Sequence, residues 1–186
     1  MSGHILIIGR TLSGKSALAK QIGSRMRLAG AEILAWNPTL ERGYAREDNY
    51  GCIAAEWETD NPDELIAEIN SRFEKDATKS RYIIIDEAHE LPSDLSWLTT
   101  KGRHYGLTII AVSQRGAALN TTFRTQIGTW YVFKCSGLDL RMVEDETGVK
   151  IPKDENGASL QQFDYLKVSI NGVEKHNLKN DLENNA

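Results

Sequence analysis

The sequence contains few of the residues that mark several large classes of protein. Only two of its 186 residues are cysteines, and only four are prolines. Cys52 and Cys135 are too few and too far apart for a zinc site or a disulfide framework. We therefore expect two buried, reduced thiols in a protein of the cytoplasm.

The sequence also has no long apolar run and no excess of positive charge. No apolar run is long enough to cross a bilayer, and Arg10 with its glycine-rich surroundings interrupts the apolar start, so neither a transmembrane segment nor a signal peptide is expected. A net charge of −4 argues against a protein that binds nucleic acid over its whole surface. This charge does not exclude DNA binding through a local loop, if several subunits bring copies of that loop together around a pore.

A glycine-rich turn stands between the apolar run Ile5–Ile8 and a helical pattern that begins at Lys15. It reads Gly9, Arg10, Thr11, Leu12, Ser13, Gly14, Lys15 and Ser16, followed by Ala17. This is a Walker A phosphate loop in the strand-turn-helix context that the motif requires. Backbone N–H groups would surround the phosphates of ATP, Lys15 would reach the β- and γ-phosphates, and Ser16 would ligate Mg²⁺.

A second motif predicts hydrolysis. The apolar run Tyr82–Ile85 ends in Asp86 and Glu87, as in a Walker B strand. Asp86 would help to hold Mg²⁺, and Glu87 would be the catalytic base that deprotonates the attacking water.

A third apolar run, Leu107–Val112, ends in Ser113 and Gln114. Ligands of open α/β sheets bind beyond the carboxyl ends of the strands, so Gln114 should point into the same crevice as Lys15 and Glu87. An amide there would sense the γ-phosphate and position the water.

Strand patterns alternate with helix patterns, which predicts an α/β fold with a mostly parallel central sheet flanked by helices. Residues 1–178 would form one P-loop NTPase domain, and 179–186 a polar, flexible tail. A C-terminal β-hairpin would turn at Asn171-Gly172. The remaining predicted strands are Glu32–Trp36 and Thr129–Phe133, and the predicted helices are 15–28, 62–75, 93–104, 119–126 and 139–147.

Around the third strand the sequence resembles FtsK/HerA-type ATPases. Arg103 and Gly106 precede a strand that ends in Gln114-Arg115, as in that family, although Gly116 stands where a proline often follows. The similarity covers about residues 5–133 and is nearest to short bacteriophage ATPases that package genomes, or to Zot-like ones. It implies the additional-strand class of P-loop fold, in which a further strand separates the Walker A and Walker B strands.

The resemblance also implies a homo-oligomeric ring, commonly a hexamer, in which an arginine of one subunit reaches the γ-phosphate bound by its neighbour. Arg103 is the favoured residue, with Arg115 and Arg124 as the other candidates. For DNA contact, the segment with Arg42, Tyr44 and Arg46 offers two cations and an aromatic ring. The acidic neighbours Glu41, Glu47 and Asp48 dilute this charge and favour the alternative of an ordinary exposed loop.

Three functions remain open from the sequence. The first is a motor that moves double-stranded DNA through its pore into a capsid, with capsid or portal-vertex proteins as further partners. It would work in the cytoplasm of a bacterial host or in association with the virion. The second is a nucleotide-switched, Zot-like assembly ATPase without translocation, and the third is a small-molecule kinase.

Overall fold

A computed structural model describes residues 3–40, 43–49, 51–72, 80–90, 97–98, 102, 106–152 and 160–183. Within them lie eight strands: β1 His4–Ile8, β2 Glu32–Trp36, β3 Trp57–Thr59, β4 Arg81–Ile85, β5 Leu107–Ser113, β6 Ile127–Val132, β7 Asp164–Ser169 and β8 Gly172–Asn177. The helices are α1 Lys15–Leu28, α2 Pro62–Arg72, α3 Thr121–Arg124, α4 Gly137–Thr147 and α5 Leu178–Glu183. Short 3₁₀ turns occupy Ala88–Glu90 and Gly116–Ala118.

All eight strands belong to one sheet in the order β3-β2-β4-β5-β1-β6-β7-β8. The first six are parallel neighbours, and β7 and β8 extend the sheet as an antiparallel hairpin beside β6. Strands β1, β4 and β5 are almost wholly buried because helices cover both faces of the sheet, which explains their continuous apolar sequences. The predicted α/β fold with a mostly parallel sheet is confirmed.

Strand β5 lies between β1 and β4, and it pairs with both in parallel. Ile8 at the end of β1 pairs with Ser113, and Ile85 at the end of β4 pairs with Ala111. The residues that follow these three strands therefore emerge at one edge of the sheet. This order is the additional-strand arrangement that the resemblance implies.

Two apolar layers hold the helices on the sheet. On one face, Leu18 and Ile22 of α1 pack with the strand residues Ile7, Ile84 and Ile110. The other face carries α2, α3 and α4, whose buried residues are Leu65, Ile69, Phe123, Met142 and Val143. The layer under α1 brings the start of that helix directly over the ends of β1 and β4.

Residues 179–183, which belong to the predicted polar, flexible tail, form part of a helix. Helix α5 begins at Leu178, and its residues Leu178 and Leu182 are 2% and 7% exposed in the same layer as α1. Two leucines four residues apart face one side of a helix, and this short pattern is easily missed among polar neighbours. The hairpin also turns one residue early, at Ile170-Asn171, because Ser169 pairs with Gly172.

Some other predicted bounds agree closely with the structure, whereas the predicted helix 119–126 is shortened to Thr121–Arg124. The bounds of α1 and β2 are the predicted ones. Helix α4 ends at Thr147, as predicted, and Gly148 after it has the left-handed φ of 69° expected of a helix-ending glycine. Most of the predicted helix 93–104 lies outside the described residues. Among the described helices, none is both long and apolar enough to cross a membrane.

Candidate nucleotide-binding site

The loop between β1 and α1 folds back on itself around Lys15. The Lys15 side chain is only 7% exposed, and its Nζ donates to the backbone carbonyl of Arg10 at 2.9 Å. Burial lowers the pKa of Lys15, whereas the carboxylates of Glu87 and Asp86 oppose that shift. Gly14 has φ of +105°, and a Cβ there would stand 2.6 Å from Leu178 Cδ2, so this position requires glycine.

The residues of this loop fit a phosphate group. Ser13 Oγ is buried and has no hydrogen-bond partner among the described residues. A buried hydroxyl without a partner is costly, and an anionic oxygen would satisfy it. The nearby ammonium of Lys15 and the start of α1 favour negative charge at the same place.

Asp86 follows β4 and accepts three hydrogen bonds. Its Oδ2 accepts from the hydroxyls of Tyr44 at 2.8 Å and Ser16 at 3.3 Å, and its Oδ1 accepts from the backbone N–H of Glu87 at 2.9 Å. Burial raises the pKa of Asp86, and the hydrogen bonds from Tyr44 and Glu87 oppose this shift. The Ser16 hydroxyl and the Asp86 carboxylate offer oxygen atoms of the kind that Mg²⁺ prefers as ligands. Phosphate and water would occupy the remaining coordination positions of the ion.

Glu87 adopts a left-handed backbone conformation with φ of 47°, which costs a non-glycine residue about 1–3 kcal/mol. Its Oε1 accepts from Gln114 Nε2 at 2.6 Å, and Gln114 Oε1 in turn accepts from the hydroxyl of Thr11 at 2.8 Å. The other oxygen, Oε2, is buried without a hydrogen bond and lies 3.4 Å from Nδ1 of His89. One carboxylate oxygen of Glu87 is thus tied to the phosphate loop through Gln114.

The structure brings most of the candidate residues together at the edge formed by β1, β4 and β5. Hydrogen bonds join Ser16 to Asp86, and Thr11 to Gln114 and Glu87. The carboxylates of Glu87 and Asp86 raise the pKa of Lys15 and so oppose the effect of its burial. The sequence pattern alone predicted this meeting, because the three strands end at the same edge.

The three arginines considered for a role across the subunit boundary differ in their surroundings. Arg103 lies outside the described residues, so its position is untested. Arg124 is engaged within its own chain: its Nε lies 3.4 Å from Glu146 Oε1, and its Nη2 donates to Thr121. Arg115 is exposed, one residue after Gln114.

The position of Tyr44 contradicts the prediction that its ring contacts DNA. It is 1% exposed, and its hydroxyl contacts Asp86, so it cannot stack on a DNA base or sugar as suggested for the segment with Arg42 and Arg46. Burial, followed by the charge of Asp86, raises the pKa of Tyr44 well above its usual value, so the hydroxyl stays protonated and donates to Asp86. Sequence reasoning missed this contact because 42 residues separate the partners and no motif joins them. Arg46 is exposed, and Arg42 lies outside the described residues.

The strand order and the loop before α1 define a P-loop NTPase fold of the additional-strand class. Solved structures with this fold include the genome packaging NTPase B204 from Sulfolobus turreted icosahedral virus 2 in complex with ATP-gammaS. Its TM-score is 0.70 at 19% identity, and the alignment covers 94% of this chain and 96% of that one. The fold expected from the resemblance to viral packaging ATPases is thereby confirmed.

Two larger proteins share the fold over part of their length. The pCW3 conjugation coupling protein TcpA with ATPgS has a TM-score of 0.63 at 16% identity, covering 95% of this chain and 60% of TcpA. Thermomonospora curvata EccC (ATPases 2 and 3), in complex with a signal sequence peptide, has a TM-score of 0.60 at 16% identity, covering 95% of this chain and 36% of that one. No family model and no curated protein sequence matches the chain.

Proposed function

We propose that this protein is a Mg²⁺-dependent ATPase that drives double-stranded DNA into a viral capsid. The observation that carries the ATPase proposal is the hydrogen-bonded set formed by Thr11, Gln114 and Glu87 beside the Ser16–Asp86 pair. It combines a phosphate loop, a pair of hard oxygen donors and a carboxylate base in one crevice. A loop that only reversed the direction of the chain would need neither the pair of oxygen ligands nor the carboxylate base.

The residues would divide the work of in-line water attack. Lys15 would leave the Arg10 carbonyl to neutralise the β- and γ-phosphates, and Ser13 would gain a hydrogen-bond partner. Glu87 would accept the proton of the water, and Gln114 would hold the carboxylate of Glu87 until the nucleotide is seated. Ser16 and Asp86 would hold Mg²⁺, which when bound supplies charge neutralisation at the phosphate oxygens.

The translocation proposal rests on two supports of a different kind. B204, whose name describes a genome packaging NTPase, shares the fold over nearly its whole length. The FtsK/HerA-like pattern around Arg103 and Gln114 implies a ring, commonly a hexamer, with Arg103 acting across the boundary between subunits. We propose double-stranded DNA in the pore, capsid or portal-vertex proteins as partners, and a place in the host cytoplasm or at the virion. B204 comes from a virus of Sulfolobus, so the proposal does not depend on a bacterial host.

A second candidate is a nucleotide-switched assembly ATPase that moves no DNA. The burial of Tyr44 favours this second candidate, because the aromatic ring of the segment proposed for DNA contact is not available and only the arginines of that segment remain. The site chemistry would be the same in both candidates. The third candidate from the sequence, a small-molecule kinase, has no specific observation in its favour.

Nucleotide binding and DNA stimulation together test these proposals. Purified protein should bind a fluorescent ATP analogue and release phosphate from ATP, and Lys15→Ala should weaken the binding and abolish the release. Removal of Mg²⁺ by chelation should abolish phosphate release and weaken analogue binding to a lower, still measurable affinity. Lys179→Ala is the matched control, since Lys179 is an exposed lysine that lies over the ring of Phe163. Unchanged ATP affinity in Lys15→Ala would refute the P-loop proposal. Hydrolysis that double-stranded DNA does not accelerate would favour the assembly switch.

A further inference from the structure

We propose that Tyr44 is a positioning residue for the metal site of the ATPase, holding the carboxylate of Asp86 in the orientation that binds Mg²⁺. This inference rests on the proposed function of the site and adds a residue that lies outside both Walker motifs. The contact that carries it is the hydrogen bond from the Tyr44 hydroxyl to Asp86 Oδ2 at 2.8 Å.

The Tyr44 hydroxyl is the donor that would remain after a nucleotide binds. Ser16 shares Asp86 Oδ2 at the longer distance of 3.3 Å, and its hydroxyl would turn toward the metal. The backbone N–H of Glu87 holds only the other oxygen, Oδ1. With Ser16 engaged elsewhere, Tyr44 alone among the described donors would fix Oδ2. Metal ligands depend on such supporting hydrogen bonds for their orientation and affinity.

The backbone around Tyr44 is anchored on both sides, which fixes the position of its hydroxyl. The Tyr44 carbonyl accepts from the backbone N–H groups of Ala54 and Ala55, each at 2.9 Å. Beside it, the buried Lys20 of α1 donates to the Gly43 carbonyl at 2.9 Å. Lys20 lies one helical turn after Ser16, so the same helix carries the metal-site serine and the anchor of the Tyr44 segment.

Gly43 and Glu58 explain how the segment comes so close to the sheet. A Cβ on Gly43 would stand 2.3 Å from Glu58 Oε2, which accepts from the backbone N–H of Ala45 at 3.2 Å. The other oxygen of Glu58 accepts from Asn37 at the end of β2. Gly43 allows the backbone to approach Glu58 closely, and Glu58 fixes the segment by accepting hydrogen bonds from Ala45 and Asn37. The Tyr44 hydroxyl therefore contacts Asp86 from a backbone whose position is fixed.

The test uses Tyr44→Phe, which removes the hydroxyl and keeps the buried ring. Affinity for a fluorescent ATP analogue is measured with Mg²⁺ and with chelator, and the ratio of the two affinities gives the coupling between metal and nucleotide. We expect this ratio to fall about tenfold, the size set by one hydrogen bond to a charged group. Affinity without Mg²⁺ should stay within about twofold of the parent, because no atom that meets phosphate is changed.

Tyr131→Phe is the matched control, since Tyr131 is a half-buried tyrosine on β6 whose ring contacts Tyr165. It should leave the ratio unchanged. A parent-like ratio in Tyr44→Phe, or an equal loss of affinity with and without Mg²⁺, would overturn the inference and leave Tyr44 as a core residue. Failure of the parent protein to bind nucleotide at all would instead remove the proposed function. The Mg²⁺ concentration for half-maximal hydrolysis should rise in Tyr44→Phe, as a second measurement.

Discussion

Gln114 bridges the phosphate loop and Glu87: it donates an amide N–H to Glu87 Oε1 at 2.6 Å and accepts from the Thr11 hydroxyl at 2.8 Å. The carboxylate of Glu87 can only accept, so it faces the NH₂ end of the amide, and the Thr11 hydroxyl donates to the amide oxygen. Gln114 therefore connects the loop directly to the proposed base.

The first prediction concerns this bridge. Gln114→Ala should lower kcat about 10- to 100-fold while KM stays within about threefold, because the change disorders Glu87 and leaves the phosphate contacts intact. Steady-state phosphate release at several ATP concentrations separates the two constants. Gln162→Ala, at an exposed glutamine before β7, is the control. A rise in KM with unchanged kcat would assign Gln114 to nucleotide binding instead.

The second prediction concerns Glu87 itself. Glu87→Gln should retain ATP binding and lose about 10²- to 10⁴-fold in turnover, because an amide keeps the shape but cannot accept a proton. Single-turnover hydrolysis and analogue binding measure the two properties separately. Glu90→Gln removes an exposed carboxylate three residues later and should behave as the parent. Turnover near that of the parent in Glu87→Gln would exclude Glu87 as the base.

The third prediction uses the pKa of Cys135. Burial, reinforced by the charge of Asp139 and opposed by Arg10, raises the pKa of this thiol to about 12. Alkylation requires the thiolate, so at pH 8 only about one thiol in 10⁴ is reactive. In Cys52→Ser, iodoacetamide labelling should be slow at pH 8 and should accelerate about tenfold per pH unit up to pH 10. Fast labelling at pH 8 that does not rise with pH would contradict this environment for Cys135.

The fourth prediction tests catalysis across a subunit boundary. If Arg103 acts on the neighbouring site, turnover per subunit should rise with protein concentration as rings assemble. Mixing Arg103→Ala with Glu87→Gln should restore some activity, because a mixed boundary can combine one intact Glu87 with one intact Arg103. Arg115→Ala is tested in the same way, since Arg115 is exposed beside Gln114.

Arg141→Ala, at an exposed position on α4, is the control for the boundary experiment. Full activity of Arg103→Ala alone would contradict a role for that residue. Verified mixed rings without recovery would exclude action across the boundary. Recovery only in mixtures that contain Arg115→Ala would transfer the role to Arg115.

Local patterns account for what the sequence predicted well. The continuous apolar runs of β1, β4 and β5 predict buried parallel strands, and the residues that follow those strands must meet at one edge of the sheet. The positions of Ser16, Asp86, Glu87 and Gln114 follow from this rule. The order β4-β5-β1 came from the family resemblance, since the pairing partner of a strand is not written in its own sequence.

The features that sequence reasoning missed depend on contacts between distant segments. Tyr44 stands in a polar stretch, yet its ring is buried because Gly43 allows a close approach to Glu58 and because Asp86 provides an acceptor. Helix α5 is short and mostly polar, and only its packing against the phosphate loop at Gly14 reveals why Leu178 is buried. Neither burial follows from hydrophobic periodicity alone.

The last prediction concerns DNA, for which the arginines remain the proposed contacts. Binding by the assembled protein should be independent of base sequence and weaken steeply with salt, and Arg42→Ala/Arg46→Ala should reduce the slope of log affinity against log salt by about two. DNA should also accelerate hydrolysis less in this double variant. Arg141→Ala/Lys150→Ala removes two positive charges from exposed positions on and after α4 and serves as the control. Equal slopes in both variants would mean that net charge alone attracts DNA, and no DNA binding by assembled parent protein at low salt would leave the assembly switch as the function.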